Sequence, residues 1–573
     1  MRSRNIPLLA LLSSGLLSSL ASAQLAGGGW EADREVLGTV GLSYFGWAIA
    51  PNGDMTGDGI EDFVVGAPAK GGGTGGFYIM DGATDLPVTI INGVTPLDRL
   101  GLEAVSLQDI TGDGVSEFIV SAPGFDPGGK GFAGRIYIFN GAQLNQYVTI
   151  DGENAGDNFG DGLEVIPDVN GDGIKDIVAT SDMGDDGIKT DCGIVYVFSG
   201  ADQRELARFY GPEDNSRFGC EVTFIGDLTG DGIDELLIGA KGSEVNLNGV
   251  IETDVGRAFV ADPVSGTIIH VVSGQSAFGY FGSAVSAAGD VNNDGVPDFI
   301  VSAQEHTEAS VGAECGAIFI YDGATGNLLR KHVGEFPHDK FGKSVWGNVD
   351  VNNDGRLDVI VGAHLKDRPN KGDDYPGGIY VYSNNGDEIL NYTGNGFRER
   401  LGSEIEVTGD RDGDGFPEFF VAGPDYRPPN THPRIGRLLE FEFDPYIYPD
   451  NTTISSSTGG AVTLDLDFRD RFAGQTYRIL FSMGTNTSYL NGIAIPLSNG
   501  TLFNRTLALD YGFLSTSTDM TGLLDASGNG QAQFSVTSVP PHLIGSTVYL
   551  AALSNNAVAA TASSVAVPLT IDP

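Results

Sequence analysis

The chain has 573 residues, a formal net charge of −44 and 41% hydrophobic residues, so it is acidic but apolar enough to form a folded core. The acidic excess argues against binding to nucleic acid or to anionic membrane surfaces, because both need clustered Lys and Arg. Gly is abundant, at 84 residues without a collagen period, which indicates many tight turns between short strands. The carboxylates either form a solvated surface or bind hard cations, and their positions must decide between the two.

The first 23 residues have the pattern of a signal peptide. Arg2 and Arg4 form a short basic region, an apolar stretch runs from Ile6 to Leu20, and the small residues at 21–23 fit a signal-peptidase site. The apolar stretch is short for a membrane span, and no later segment has about 18 uninterrupted apolar residues. We therefore expect no membrane span and a secreted protein, extracellular or at the cell surface, after cleavage near Ala23.

An acidic nonapeptide recurs seven times along the chain, with successive copies 55 to 63 residues apart. The copies read DMTGDGIED, DITGDGVSE, DVNGDGIKD, DLTGDGIDE, DVNNDGVPD, DVNNDGRLD and DRDGDGFPE, and they begin at Asp54, Asp109, Asp168, Asp227, Asp290, Asp350 and Asp410. Nine residues before each first Asp stands Phe-Gly or Leu-Gly, and a short apolar run follows each nonapeptide. This regularity predicts one structural unit for each copy.

Each unit contains four short β segments, which is the content of one β-propeller blade. The seventh unit has a third strand at RLLEFEF, from Arg437, but no clear fourth strand. The segment EADREVLG, from Glu31, aligns with the fourth strands of the other units. We predict that it completes the seventh blade from the opposite end of the chain, which removes exposed edges. The predicted fold class is therefore all-β, with a seven-bladed β-propeller over residues 31–443.

The part of the chain behind the propeller has a different composition. Residues 444–460 are rich in Pro, Ser and Thr, which suits a linker. Residues 461–573 alternate like strands between Gly and Asn turns and predict a small C-terminal β-sandwich-like domain. Attachment, sorting and a second binding site are all open as its role.

Within each nonapeptide, oxygen-bearing side chains occupy positions 1, 3, 5 and 9, and position 6 is Gly. Alternate spacing in a tight loop directs the first three towards one centre, and the Gly permits a sharp turn. Six or seven hard oxygens suit Ca²⁺ better than Mg²⁺. The alternative is a set of Asp-Gly or Asn-Gly turns without metal, but a turn does not need three converging carboxylates, which would repel one another. We therefore predict up to seven structural Ca²⁺ ions, with weaker binding where position 3 is Thr.

The predicted metal ligands are four residues from each loop. They are Asp54, Thr56, Asp58, Asp62, Asp109, Thr111, Asp113, Glu117, Asp168, Asn170, Asp172, Asp176, Asp227, Thr229, Asp231, Glu235, Asp290, Asn292, Asp294, Asp298, Asp350, Asn352, Asp354, Asp358, Asp410, Asp412, Asp414 and Glu418.

The succession of Phe-Gly, DxxGDGxxD and the VGAP at Val65–Pro68 resembles the FG-GAP repeat of integrin α-chain heads and of many exported bacterial proteins. The resemblance covers about residues 31–443, although Leu replaces Phe at Leu100 and Leu401. It implies a seven-bladed propeller with Ca²⁺ in the blade loops and a role in adhesion or ligand binding.

The links between second and third strands, and those between blades, are expected on the face opposite the acidic loops. Binding sites commonly lie in such loops on a rigid scaffold, so we expect an extracellular protein or polysaccharide partner there. Candidate residues in the long links are His306, His364, Lys366, Arg368, Tyr375, Tyr426, Arg427, His432 and Arg434.

Catalytic patterns are scarce in this chain. No HExxH, GxSxG or P-loop motif occurs, which favours a binding or adhesion module without catalytic residues or an organic cofactor. Carboxylate pairs leave open a polysaccharide-active enzyme, a lyase or glycoside hydrolase, and a structural cell-surface or matrix component is a further alternative. Cys192 and Cys315 sit at equivalent positions two units apart and should be too distant to bridge, whereas Cys192 and Cys220 lie in adjacent units, so we take these two as the plausible disulfide pair.

Overall fold

The computed structural model describes residues 29–353, 355–368, 374–411, 415–429 and 433–444, together with separate β-strands between residues 447 and 572. The predicted signal peptide, residues 1–23, lies outside the described residues. In the described part of the chain, no helix combines the length and the apolar character that a membrane crossing requires.

Seven four-stranded antiparallel sheets form the blades of a β-propeller, as the repeats predict. Strand β1 (Gly29–Leu37) precedes the first blade in the chain. Blade 1 contains β2 (Ile49–Pro51), β3 (Phe63–Gly66), β4 (Gly76–Asp81) and β5 (Leu86–Asn92). Blade 2 contains β6 (Ala104–Ser106), β7 (Phe118–Ala122), β8 (Arg135–Asn140) and β9 (Asn145–Asp151). Blade 3 contains β10 (Leu163–Ile166), β11 (Asp176–Ser181), β12 (Ile194–Phe198) and β13 (Glu205–Tyr210).

The later blades repeat this order. Blade 4 contains β14 (Phe218–Phe224), β15 (Leu236–Ala240), β18 (Arg257–Ala261) and β19 (Ile268–Ser273), and its long second link forms a hairpin of β16 (Val245–Leu247) and β17 (Val250–Glu252). Blade 5 contains β20 (Phe281–Gly289), β21 (Asp298–Ala303), β22 (Ala317–Tyr321) and β23 (Leu328–Val333). Blade 6 contains β24 (Phe341–Val349), β25 (Asp358–Ala363), β26 (Gly378–Ser383) and β27 (Glu388–Thr393). Blade 7 contains β28 (Ile405–Gly409), β29 (Glu418–Gly423) and β30 (Arg437–Asp444). Two single turns of helix, Lys70–Gly73 and Pro127–Gly129, lie in the second links of blades 1 and 2.

The Phe-Gly pair before each acidic loop joins neighbouring blades. The rings of Phe45, Phe281 and Phe341 are fully buried, and each meets an aromatic ring of the third strand of its own blade edge-on, at 5.0 to 5.4 Å between centroids. The following residue must be Gly, because Gly282 has a φ of +88° and a Cβ there would lie 2.5 Å from the carbonyl oxygen of Arg257. The Phe of the pair therefore contributes a core contact, and the Gly permits a close approach between the backbones of neighbouring blades.

The ring closes through β1, which pairs antiparallel with β30 and supplies the fourth strand of blade 7. This confirms the prediction from the sequence. Trp30 lies opposite Phe443 in the register and is 2% exposed, with its ring edge-on to Phe419 and Phe443 at 6.0 and 5.1 Å. Arg34, on the same strand, reaches across to blade 1 and donates to Asp85 at 2.6 Å. The first strand therefore holds blades 7 and 1 together.

The first strand of each blade faces the propeller axis, where acidic side chains line a central channel. These side chains are Glu103, Glu164, Glu221, Glu404 and Glu406, accompanied by Asp161 and Lys343. They are partly exposed, and acids from different blades are close enough to raise one another's pKa, which places them near the axis. Burial raises the pKa of Glu164 and of Glu404 to about 7, and the charge of Glu221 adds to the effect while Lys343 opposes it at Glu404. The channel thus holds carboxyl groups that titrate near neutral pH.

The C-terminal strands form a β-sandwich-like domain, as predicted. Strands β31 to β42 are, in order, Ile447–Pro449, Thr453–Ser455, Gly460–Asp467, Thr476–Ser482, Ser488–Leu490, Ile493–Ile495, Thr516–Thr518, Thr521–Leu523, Asn529–Val536, Thr547–Asn555, Ala560–Ser563 and Val567–Asp572. One sheet has the order β31-β33-β39-β37, and a second has the order β32-β42-β40-β34-β38 with β41 beside β40. Strands β35 and β36 form a separate hairpin.

The predicted disulfide is wrong, because all three cysteines are free and buried. Cys192 precedes the third strand of blade 3 and donates to the carbonyl oxygen of Gly184, whereas Cys220 lies on the innermost strand of blade 4 and donates to that of Gly282. Adjacent blades therefore present the two thiols at different distances from the axis. Burial raises the pKa of Cys220 to about 11, so its thiol stays protonated.

Replacement of Trp30 tests the closure of the ring. We expect Trp30→Ala to lower the free energy of unfolding by about 3–5 kcal/mol, because it empties a buried aromatic cluster on the closing strand. The free energy of unfolding is measured by chemical denaturation, with far-ultraviolet circular dichroism as the signal because it reports on the β-sheet and not on tryptophan. Leu86→Ala, on an exposed outer strand, is the control and should change stability by less than about 0.5 kcal/mol. Equal effects of the two substitutions would contradict the closure.

Titration of the channel carboxyls predicts a pH dependence of stability in the metal-free protein. A folded-state pKa near 7 exceeds the ordinary carboxyl value, so at lower pH the folded chain binds more protons than the unfolded chain. Protonation therefore stabilises the fold, and this contribution is lost as the pH rises through 7. In EDTA, we expect the Tm to rise as the pH falls from 8 to 5.5. The double variant Glu164→Gln, Glu404→Gln should be more stable at pH 8 and show a flatter profile, whereas the exposed-site control Glu244→Gln should follow the parent. An unchanged slope in the double variant would refute this assignment.

Candidate metal-binding loops

The seven acidic nonapeptides connect the first and second strands of the seven blades. We number these connections loop 1 to loop 7 by blade and keep the position numbers 1 to 9. Because every blade runs in the same direction, all seven loops lie at the same face of the propeller. Asp354, Asp412 and Asp414, at predicted ligand positions of loops 6 and 7, lie outside the described residues.

The carboxylate at position 1 organises the turn of each loop. It accepts the backbone N–H of the Gly at position 6, as Asp54 does from Gly59 at 2.7 Å and Asp168 from Gly173 at 2.6 Å, and the same bond occurs in all seven loops. These N–H groups lower the pKa of Asp54, Asp168 and Asp227. Position 1 is therefore a carboxylate anion at neutral pH.

The carboxylate at position 9 is buried at the start of the second strand. In loops 1, 3 and 5 it accepts the N–H of the Gly that follows the third strand, for example Gly323 N to Asp298 Oδ1 at 2.9 Å. Burial raises the pKa of Asp298 to about 6, and the neighbouring Asp294 contributes in the same direction. A buried acid beside other acids is stabilised in its charged form by a cation.

Three acids converge in two of the loops. In loop 2 the carboxylate oxygens of Asp109, Asp113 and Glu117 lie within 4.8 Å of one another, and loop 4 brings Asp227, Asp231 and Glu235 together in the same way. Loops 1, 3 and 5, although fully described, do not reach this spacing. The structure therefore assembles the acids at positions 1, 5 and 9 most closely in loops 2 and 4.

Glu235 supplies an independent observation in loop 4. Glu235 is fully buried. Its Oε2 accepts the N–H of Leu228 at 2.6 Å, whereas its Oε1 has no hydrogen-bond donor in range within the described part of the chain. A buried carboxylate oxygen without a donor is costly unless a cation approaches it. The donor set around it consists of hard oxygens, so these residues fit Ca²⁺.

The side chains at position 3 contact the same acids. Thr111 Oγ1 donates to Glu117 at 2.9 Å, and Asn170 Nδ2 donates to Asp176 at 3.0 Å. Asn292 instead donates to the carboxylate at position 5, Asp294, at 3.0 Å. The predicted ligands are thus neighbours in space, while the weaker binding expected for the Thr loops stays a prediction.

Residues that reach the loops from the end of the third strand were not among the predicted ligands. Asn140 Nδ2 donates to Thr111, Asp113 and Glu117 at 2.7 to 3.1 Å, and Ser199 Oγ donates to Asp172 at 3.2 Å. A Gly follows the third strand at this place in several blades, and it is required there. A Cβ on Gly82, Gly200 or Gly323 would lie 1.8 to 2.0 Å from the carbonyl oxygen at position 8 of the loop of the same blade. The recurring Asp-Gly, Asn-Gly and Ser-Gly pairs after the aromatic runs were the available signal.

Two candidate partner-binding residues of the opposite face are buried. His306 is 3% exposed, contacts Ser276 Oγ at 3.1 Å and accepts from Lys331 Nζ at 3.0 Å. Lys366 is also 3% exposed and lies over the ring of Tyr380, with its Nζ 3.8 Å from the centroid. Both stabilise their blades and present little surface to a partner. His432 lies outside the described residues.

Other residues of that face are exposed apolar side chains and cations, of which Lys340 is only 13% exposed and Arg217 is partly exposed. The residues three positions before the Phe-Gly or Leu-Gly pair include Leu42, Leu97 and Phe278, which are 64, 53 and 57% exposed. The residues one position before the pair are in left-handed conformation in every blade, and four of them are cationic: Arg99, Arg217, Lys340 and Arg400. We call these three apolar and four cationic residues the mouth residues; they belong to the links between blades, on the face opposite the acidic loops.

Comparison with known proteins agrees with this architecture. Residues 101–139 and 281–321 match the model of the FG-GAP repeat. The chain is similar to integrin α-5 of Xenopus laevis, with 33% identity over 182 residues, and to integrin α-V of Gallus gallus, with 29% identity over 212 residues. These alignments cover 30% and 35% of this chain and 17% and 20% of the relatives, so the chain spans about a fifth of the length of the relatives it matches.

Two solved structures are also similar. The Dos1 propeller has 14% identity, a TM-score of 0.33 and coverage of 55% of this chain and 63% of that chain. A europium-containing methanol dehydrogenase has 10% identity, a TM-score of 0.36 and coverage of 66% and 80%. The structure shows a seven-bladed β-propeller, and two of its segments match the FG-GAP repeat. In sequence the chain is similar to integrin α chains over about a third of its length, in agreement with the resemblance that the repeat pattern indicated.

Proposed function

We propose that this protein is an exported, calcium-binding β-propeller that binds an extracellular protein or carbohydrate partner through the face of the mouth residues. The calcium assignment rests on loop 4, where the carboxylates of Asp227, Asp231 and Glu235 converge and Glu235 Oε1 has no hydrogen-bond donor among the described residues. The signal-peptide pattern at residues 1–23 supports export. The integrin α relatives support adhesion or ligand binding as the general role.

Calcium has a structural role in this proposal. Four side chains of each loop hold the ion, with the acids at positions 1, 5 and 9 as the charged ligands. When bound, the ion supplies positive charge between carboxylates that otherwise repel one another. At a free Ca²⁺ concentration ten times the Kd, each site would add about 1.4 kcal/mol to stability. Seven such contributions are comparable with the net stability of about 5–15 kcal/mol that a folded domain has.

The mouth residues support a partner site on the opposite face. Cations are few in this chain, yet four of the seven equivalent positions around the channel carry one, with exposed apolar side chains just outside them. Arg217, Lys340 and Arg400 form ion pairs with acids of the same face, for example Lys340 with Glu314 at 2.7 Å. These contacts orient the guanidinium and ammonium groups, and a rigid surface of mixed apolar and charged groups is typical of binding sites.

Calcium titration tests the metal assignment. We expect Ca²⁺ to raise the Tm, EGTA to reverse the rise and Mg²⁺ to act less strongly at the same concentration. The double variant Asp227→Asn, Glu235→Gln should bind one ion fewer, measured by equilibrium dialysis with elemental analysis. Glu244→Gln, an exposed acid in the same blade, should keep the parent stoichiometry. A Tm and an ion content independent of Ca²⁺ would refute the proposal.

Array screening tests the partner assignment. The purified protein, with and without EGTA, is applied to glycan and extracellular-protein arrays, and we expect retention without turnover. The double variant Phe278→Ala, Arg400→Ala should weaken retention at least tenfold, whereas Leu86→Ala on the outer strand should not. Release of products from a polysaccharide would instead establish the enzyme alternative. Equal retention of both variants would place the partner elsewhere.

A further inference from the structure

The acidic loops of neighbouring blades touch each other, and the contact between loops 2 and 3 is the most specific. Gln108 immediately precedes Asp109, the first residue of loop 2. Its Nε2 donates to the carbonyl oxygen of Gly173 at 3.2 Å, and its Oε1 accepts the N–H of Lys175 at 3.0 Å. Gly173 and Lys175 are positions 6 and 8 of loop 3. One side-chain amide therefore makes a two-point contact with the backbone of the next loop.

Hydrogen bonds join three further pairs of loops. Asn52 Nδ2 donates to the carbonyl oxygen of Ser116, position 8 of loop 2, at 2.9 Å. Arg411 of loop 7 donates to the carbonyl oxygen of Glu61, position 8 of loop 1, at 3.4 Å. Asn353 of loop 6 donates to the carbonyl oxygen of Gly415, position 6 of loop 7, at 2.9 Å. Positions 6 and 8 are thus the recurrent points of contact.

Packing replaces hydrogen bonding at two other junctions. Gly226 precedes loop 4, and a Cβ there would lie 2.8 Å from Cγ of Pro297. Gly289 precedes loop 5, and a Cβ there would lie 2.2 Å from Cδ1 of Leu357. Pro297 and Leu357 are position 8 of loops 5 and 6. The residue before one loop therefore fits against position 8 of the next.

These contact points are adjacent to the proposed ion ligands. Gly173 N donates to Asp168, the ligand at position 1, while Lys175 precedes Asp176, the ligand at position 9. An ion in loop 3 fixes both ligands and with them the two backbone groups that Gln108 contacts. An ion in loop 2 fixes Asp109 and with it the backbone of Gln108.

We propose that neighbouring calcium loops bind their ions cooperatively, and that Gln108 is the positioning residue that couples loop 2 to loop 3. This inference rests on the proposed calcium binding. Coupling of this kind is reciprocal, so each ion strengthens the binding of the other by the same factor. For two hydrogen bonds between partly exposed groups, the factor is about fivefold, at the lower end of typical site-to-site coupling.

Hydrogen–deuterium exchange of the full chain, titrated with Ca²⁺, tests the coupling loop by loop. The readout is the Ca²⁺ concentration that gives half-maximal protection of the peptide covering residues 168–176. Asp109→Asn, which disables loop 2, should raise this concentration about fivefold. Gln108→Ala should raise it similarly, and the double variant should show no further rise. Asp168→Asn, read on residues 109–117, should give the reciprocal effect.

The control is Gln143→Ala, which removes an amide of the same size from an exposed turn of blade 2, where its Oε1 accepts a hydrogen bond from Asn145 Nδ2 at 3.1 Å. Its half-maximal concentration should equal that of the parent. An Asp109→Asn variant with unchanged protection of loop 3 would overturn the coupling, and additive effects in the double variant would overturn the role of Gln108. Absence of Ca²⁺-dependent protection in every loop would overturn the calcium assignment itself, which distinguishes the two failures.

Discussion

The pairing of β1 with β30 is the constraint on which the remaining structure depends, because each blade packs only against its two neighbours. A ring of this kind has no central core that could compensate for one open junction, so the last junction must close across the full length of the propeller. Loop-closure entropy grows slowly with chain length, and a well-packed strand can offset it. The seam is also charged: Arg437, 3% exposed, contacts Glu35 of β1 at 2.8 Å and the buried Glu399.

Closure also separates the two faces chemically. With seven blades in one orientation, the links between first and second strands gather the acidic loops on one face, and the links between blades place apolar side chains and cations paired with acids on the other. The channel between them holds carboxyls with raised pKa values. The net charge of −44 is therefore distributed by the fold, and the proposed ions would add positive charge at the face of the acidic loops.

The candidate metal sites were predictable in composition but less so in geometry. The positions of Asp227, Asp231 and Glu235 follow from a local nine-residue pattern, because neighbouring residues in a tight turn must lie close together. The same pattern in loops 1, 3 and 5 does not bring its acids to the same spacing. Asn140 and Gln108 were not identifiable as contacts, since they reach loops through strand pairing or across a blade junction. Local sequence carries no information about such partners.

The repeat pattern was enough to predict the number of blades, the four strands of each, the position of the acidic loops and the completion of blade 7 by the segment near Glu31. These features depend on short-range alternation and on turn residues, whose physical effects act within a few positions. The separation of Cys192 from Cys220, the burial of His306 and Lys366 and the contacts between loops became visible only in the folded protein. Those outcomes depend on distances between residues that are far apart in the chain, and the packing of whole blades sets those distances.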